Sequence, residues 1–427
     1  MNVLIVNTSR DAGGAAVAAR RLLYALRGVG ADAHMLVRDG SCDGFVRVLP
    51  RRWLSRWHFL FERVLLFVRL GFRRKHLFDI DAGVCGTDIT RLREFRDADV
   101  IHLHWVNQGF LSLGDLRKII ASGKAVVWTM HDAWVSTALC HLTLGCRQFT
   151  TQCRRCRYLP SPRSESRWLV NVWRRKQRLL QGSGITFVAC SRWLAGEAKA
   201  SALLRGEHIV SIPNCIDSRV FCPGDRREAR IAEGLPQDRL LVLFVCQYVT
   251  NVYKGMAYLA DACRRLAEWR PSMKDEVSVV ILGSRVSDVA SLLPFPSIAP
   301  GYVGDESRMA RLYRAADVFV LPSLSENLPN TIMEAMACGV PCLGFRVGGI
   351  PEEIDHLRTG YVARPRDASD LARGLRWLLY DADREAMAKE CVRKVRRCYS
   401  PDAVAVKYTE VYQQALARKH FLPTVLI

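Results

Sequence analysis

The chain runs to 427 residues and 48.2 kDa, more than a single hydrophobic core ordinarily organises, so two domains are expected. Its 49% hydrophobic and 24% charged residues can fill two packed cores and exclude a disordered or fibrous protein. The net charge of +20 is uneven, with 33 basic and 16 acidic side chains in residues 1–215 against 29 and 26 in residues 216–427, a balance that suits nucleic acid or an anionic membrane.

Short apolar runs alternate with helical patterns from the start, as in parallel βα units. Asn2–Asn7 is the first expected strand, then the Asp11-Ala12-Gly13-Gly14-Ala15 turn and a helix at Ala15–Arg27. Glycines there let the backbone approach a ligand and the helix N-terminus favours phosphate, although the spacing is not that of a dinucleotide fingerprint. Ala33–Val37 is the next strand. Arg51–His76 then carries eight basic residues and one acid, with polar positions 51, 55, 58, 62, 69 and 73 at helical spacing and an apolar face containing Trp53, Trp57, Phe61, Leu65 and Phe72. Such a helix either lies in the interface of a membrane's inner leaflet or packs its apolar face on its own sheet. Glu62, Arg63 and Arg69 exclude a membrane span.

Strands follow at Val100–His104, Ala125–Met130, Thr186–Ala189 and His208–Ile212. His102 and His104 share a strand face and are expected to pack and hydrogen-bond, whereas His131 ends its strand and faces a ligand cleft. Cys140, Cys146, Cys153 and Cys156 form C-x5-C-x6-C-x2-C among Arg147, Arg154, Arg155 and Arg157. Four soft ligands suffice for a structural zinc, with His141 as a substitute, and free thiols or disulfides are the other readings. Two prolines and a glycine in Pro213–Gly224 mark a boundary between domains at 1–215 and 216–400, with a helix at 401–427 that can cross back to the first. The second half offers strands at Leu240–Cys246, Val277–Leu282, Val318–Leu321, Pro341–Phe345 and Tyr361–Ala363, and helices at Met256–Glu268, Ser307–Ala315 and Thr331–Cys338. Two doubly wound, Rossmann-like α/β domains follow, with ligand in the cleft at the strands' carboxyl ends. The opening MNVLIVNTSRDAGG lacks the basic start of a secretory signal, and the odd count of 15 cysteines suits reduced thiols, so a cytoplasmic location is expected.

The densest motif is Pro322–Pro341, PSLSENLPNTIMEAMACGVP. Asn330 is a good N-cap, Gly339 a good C′ residue and Pro341 a stop signal, which gives a helix of about two turns. Its N-terminus suits a phosphate. Glu326 before the helix and Glu334 one turn inside are placed to accept hydrogen bonds from hydroxyls on either side of that phosphate.

This E-x7-E within SENLPNTIMEAMACGVPCLGFRVGGIPE, with SRWLAGEAKAS, IPNCIDSRVF and GYVGDESRMARLYRAADVFVLPS in order, resembles the retaining glycosyltransferases of family 4, which have the two-domain GT-B fold. The resemblance spans nearly the whole chain. It implies a UDP- or GDP-sugar donor held by Gly13, Gly14, Gln247, Lys254, Glu326, Asn327, Leu328, Asn330, Thr331 and Glu334. Glu326 would take sugar hydroxyls, Glu334 the ribose, Lys254 the diphosphate, and His131 a place beside the donor sugar. No metal or other cofactor is implied for catalysis. The family's arginine five residues before the lysine is Val249 here, with Gln247 as the nearest polar substitute.

The function implied is hexose transfer, with retention, to a lipid-linked glycan in cell-surface polysaccharide biosynthesis, on the inner face of the cytoplasmic membrane. A nucleotide-sugar epimerase of similar fold and a catalytically silent membrane-associated scaffold are the alternatives. No nucleic-acid module is recognisable, and the basic residues cluster with large apolar ones, so nucleic acid is not expected as a partner.

Overall fold

The computed structural model describes residues 1–421, with side chains to Arg418. It divides into two units, one of Met1–Cys215 with the chain from Asp402 onward, the other Ile216–Pro401. Of the helix expected at 401–427, residues 422–427 lie outside the described residues.

The first unit is built on seven parallel strands: β1 (Asn2–Ser9), β2 (Asp32–Asp39), β3 (Val46–Val48), β4 (Val100–Leu103), β5 (Ala125–Met130), β6 (Thr186–Ala189) and β7 (His208–Ser211). Their order is β3-β2-β1-β4-β5-β6-β7. The chain winds outward from β1 to β3, then restarts at β4 and winds the other way, so the switch point lies between β1 and β4. Every residue of β4, β5 and β6 is buried. Helices cover both faces of such a sheet, which is why its central strands read as nearly continuous apolar runs rather than alternating ones. One cover is the helix Pro401–Phe421, whose Val404, Tyr408, Val411 and Tyr412 join Val3, Ile5, Val127 and Val188 in one core. Two buried hydrogen bonds fix its register, Tyr412 Oη to His102 Nδ1 at 2.7 Å and Tyr408 Oη to Thr129 Oγ1 at 2.9 Å.

The second unit holds six parallel strands: β8 (Leu240–Tyr248), β9 (Val277–Ser284), β10 (Ser297–Gly301), β11 (Val318–Leu321), β12 (Cys342–Phe345) and β13 (Gly360–Ala363), in the order β10-β9-β8-β11-β12-β13. Here the switch point lies between β8 and β11. Both domains are doubly wound α/β. The edge strands β3 and β10 have no counterpart among the expected strands.

The basic–aromatic segment departs from the self-packing expectation. Its helix is Arg52–Arg69, shorter than Arg51–His76, and ends where Gly71 and Phe72 turn left-handed. Ser55, Glu62, Arg63 and Leu66 face inward, whereas Trp53, Trp57, Phe61 and Phe72 are exposed and Leu65 is half-buried. Polar positions 55 and 62 therefore lie inside, because a polar socket awaits them. Glu62 Oε1 accepts the N–H groups of Ala82 at 3.1 Å and Gly83 at 2.8 Å. Arg63 Nη2 donates to Asp81 at 2.8 Å and Nη1 to the Leu77 carbonyl at 2.6 Å.

Burial, then the neighbouring Asp81, pushes the Glu62 carboxyl up to about 8 from its ordinary 4.5, against the Cys85 N–H and Arg63. A carboxyl raised on folding binds its proton more tightly in the folded chain. Its contribution is complete below pH 4.5 and is lost as pH rises through about 8. We therefore expect the urea midpoint of the first unit to fall between those two pH values. Glu62→Gln, which keeps the acceptor oxygen without titrating, should flatten that slope; an unchanged slope assigns the titration to another group.

Candidate functional site

In the second unit the loops after β8 and β11 flank the switch point, where parallel sheets place ligands. After β8 the chain makes a short turn at Val252–Lys254 and enters the helix Met256–Trp269 through Gly255, at φ 77°. A Cβ on Gly255 would lie 1.8 Å from the Pro322 carbonyl oxygen. The Leu324 N–H donates to the Tyr253 carbonyl at 2.8 Å, so the two loops are stitched together.

This brings Lys254 and Glu326, 72 residues apart, to 2.5 Å between Nζ and Oε1. Burial works against the Lys254 charge, but the Glu326 carboxylate overrides it and holds the ammonium above its ordinary range. Behind Glu326, Gly348 sits at φ 55° and a Cβ there would come within 1.7 Å of the Glu326 carbonyl oxygen. The Gly349 N–H donates to the Asn327 carbonyl at 2.7 Å. Glu353 is fully buried nearby, and neither carboxyl oxygen has a hydrogen-bond partner among the described residues. Burial, then Glu326, raises its pKa well above the carboxylate range.

The helix after this loop is Asn330–Ala337. Pro329, extended and without an N–H, occupies the cap position in place of Asn330, which becomes the first helical residue. Thr331 follows it, and the first turn contains no acid to occupy the positive end of the helix. Leu328 is buried beside it. Glu334 is buried one turn in and accepts the Tyr313 hydroxyl at 3.0 Å. Gln247 is exposed near the end of β8, within a register shift between Val245 and Tyr248, whereas Val249 packs inward. A cavity of about 830 Å³ lies at the other end of the Asn330–Ala337 helix, against Cys338, Gly339, Arg396 and Arg397, and neither Lys254 nor Glu326 lines it.

In the first unit Gly13 and Gly14 are exposed in the turn after β1, Gly13 at φ 91° capping the helix Gly14–Gly28. Ser9 Oγ holds the turn by accepting the Ala12 N–H at 3.0 Å. His131 follows β5, and because β1 and β5 both neighbour β4 in a parallel sheet these residues share its carboxyl edge. His131 Nε2 lies 2.9 Å from His104 Nδ1, and His102 Nε2 lies 2.7 Å from Thr129 Oγ1. Burial lowers all three imidazoles, His131 to about 4 and His102 to about 3, so each is neutral at pH 7.

The four loop cysteines are free thiols, with Cys153 and Cys156 buried. Burial pushes Cys140 and Cys153 up to about 12. Among the described residues no three His, Cys, Asp or Glu side chains are arranged to hold a metal ion. The expected substitute, His141, is taken by Asp132 at 2.7 Å.

Tyr313, Gly348 and Glu353 stand against these groups from outside Pro322–Pro341, and His104 makes a hydrogen bond, as expected of it. A Tyr in a helix, a glycine after a strand and a glutamate in GGIPEE carry no local signal of such contacts.

Residues 12–220 match the glycosyltransferase family 4 domain and residues 239–381 the glycosyl transferases group 1 domain. The D-inositol 3-phosphate glycosyltransferase 2 of Catenulispora acidiphila is 29% identical over 217 residues, 47% of this chain and 49% of that protein. The chain spans about half the length of the curated relatives it matches. Among solved structures, sucrose-phosphate synthase from Thermosynechococcus elongatus aligns over 98% of this chain and 100% of its own, with a TM-score of 0.68 at 18% identity. Anabaena HepE, in complex with UDP and glucose, covers 97% of this chain and 100% of its own with a TM-score of 0.63 at 16% identity. Two family domains that follow one another along the chain, on two doubly wound sheets, lead to one assignment: the chain belongs to the GT-B fold glycosyltransferases of the group 1 and family 4 superfamily.

Proposed function

We propose that the chain transfers a hexose from a nucleotide diphosphate sugar to a lipid-linked glycan, with retention at the anomeric carbon. The observation that carries this reading is the Lys254–Glu326 pair, held at a switch point beside a helix whose first turn contains no acid. A lysine, a carboxylate and a positive helix end in one place match a diphosphate joined to a hydroxyl-rich sugar. Before donor binds, Lys254 and Glu326 neutralise each other. Donor diphosphate takes over Lys254, and Glu326 turns to accept sugar hydroxyls, while Asn327, Leu328, Asn330, Thr331 and Gln247 surround the same group and Glu334 takes the ribose.

As the bond from the anomeric carbon to phosphate breaks, its electron pair leaves with the phosphate oxygen. Lys254 and the helix N–H groups stabilise the added charge, as preorganised donors do where charge develops. The leaving phosphate takes the acceptor's hydroxyl proton, and the acceptor oxygen bonds to the carbon on the face the phosphate vacates. No protein carboxylate serves as nucleophile. On this reading Gly13, Gly14 and neutral His131 share the carboxyl edge of the first sheet, the edge at which parallel sheets bind ligands. HepE, of the same fold, binds UDP and glucose, which supports the donor class.

A melting panel with UDP-, GDP-, ADP- and TDP-sugars tests this. A donor present at about 100 times its Kd adds about 2.7 kcal/mol to the folded state, several degrees in Tm. One nucleotide class should raise the Tm, and Glu326→Ala should lose most of the rise. No shift with any donor, or an equal shift in the variant, overturns the assignment.

A further inference from the structure

The helix Arg52–Arg69 is amphipathic the wrong way round for a globular domain. Trp53, Trp57, Leu60, Phe61, Val64 and Val68 recur at helical spacing along its outer side, each between 49% and 63% exposed. A water-soluble surface rarely carries so many large apolar side chains in one stripe. The stripe is held outward. Rolling the helix to bury it would strip Glu62 of the Ala82 and Gly83 N–H groups and break the Arg63–Asp81 ion pair, leaving buried charge and polar groups unpaired.

The surroundings of the stripe say what covers it. Arg51–Arg56 contributes three exposed cations and Arg69–Lys75 four, and none of the seven is ion-paired to an acidic side chain among the described residues. The one acid between Arg51 and Lys75 is Glu62, which is buried. A second copy of the chain docked by a two-fold contact would set these cations against themselves. Nucleic acid would meet the charge but leave six apolar side chains without a partner. A surface with both an anionic plane and a hydrocarbon layer beneath it satisfies both.

We propose that the helix Arg52–Arg69 is a preformed docking element for an anionic phospholipid membrane. It lies in the plane of the interface with the six side chains inserted among the upper acyl segments and the cations at the level of the headgroup phosphates. Among the described residues no helix is long and apolar enough to cross a membrane, so docking is on one leaflet. The inference stands apart from the sugar-transfer reading because it uses none of that site's residues.

Flotation of the purified full chain with phosphatidylcholine vesicles, with and without phosphatidylglycerol, is the test, with no donor or acceptor present. The parent chain should float with the anionic vesicles at low salt. Trp57→Ser with Phe61→Ser should weaken partitioning roughly tenfold or more, while Arg52→Ser with Arg56→Ser should remove the preference for anionic lipid. All four side chains are exposed, so the melting temperature should not fall, and it is measured alongside. Absence of flotation by the parent, or equal flotation by the aromatic variant, overturns the proposal. So does sedimentation showing that the aromatic variant turns a lipid-indifferent dimer into a monomer.

Discussion

Lys254→Ala is expected to cut sugar transfer by roughly 10²- to 10³-fold, the usual loss when one preorganised donor to a developing oxyanion is removed. The effect should fall on kcat more than on KM, because the diphosphate gains charge only as the glycosidic bond breaks. Stability should change far less. The lysine side chain is 32% exposed, so solvent screens the pair, and about 1 kcal/mol is the expected loss for an ion pair of that kind. Steady-state kinetics beside a urea titration separates the two. Lys254→Arg, which keeps the charge but not the point-like ammonium, should recover part of the rate. A Lys254→Ala enzyme with parental kcat would remove this residue from the mechanism.

The second large effect is expected at Gly348. An alanine there must hold φ near 55° and also place its Cβ 1.7 Å from the Glu326 carbonyl oxygen. Left-handed backbone alone costs an alanine about 1–2 kcal/mol, and relieving a contact that short requires the Glu326 segment itself to move. Gly234 supplies the control, since it has φ 65° and a Cβ added there would meet nothing within 4 Å. Gly348→Ala should lower the urea midpoint of the second unit clearly more than Gly234→Ala. It should also lose the donor-induced rise in Tm, which Gly234→Ala should keep. Equal behaviour of the two variants would show that Gly348 does not buttress the Glu326 loop.

These two positions show how far the sequence reaches. Both doubly wound domains are legible because parallel strands covered on both faces, such as Ala125–Met130 and Val318–Leu321, are written as nearly continuous apolar runs. Strands β3 and β10 are not, since one has three residues and the other is the half-exposed SIAPG with a proline inside. Glu326 and Lys254 can each be found by motif, but their contact joins the loops that follow two strands whose adjacency depends on strand order. Tyr313 is less legible still, because its bond to Glu334 depends on which turn of its helix faces the neighbouring one. The helix Arg52–Arg69 is legible as a helix and misleading as to side. Periodicity reports two faces without saying which is inward, and here the socket that selects Glu62 and Arg63 is formed by residues 77–85.

The return of the Pro401–Phe421 helix to the first sheet sets an order of events during synthesis. When the ribosome has made β1 to β7, the face bearing Val3, Ile5, Val127 and Val188 still lacks Val404, Tyr408 and Tyr412. Nearly 190 further residues, the whole of Ile216–Pro401, must emerge before that apolar surface is closed. A nascent chain of this design exposes a sticky sheet for the time needed to translate an entire second domain, about 10–40 s at ordinary elongation rates. The first domain to be made is thus the last to be finished, and a stop between β7 and Pro401 leaves it open.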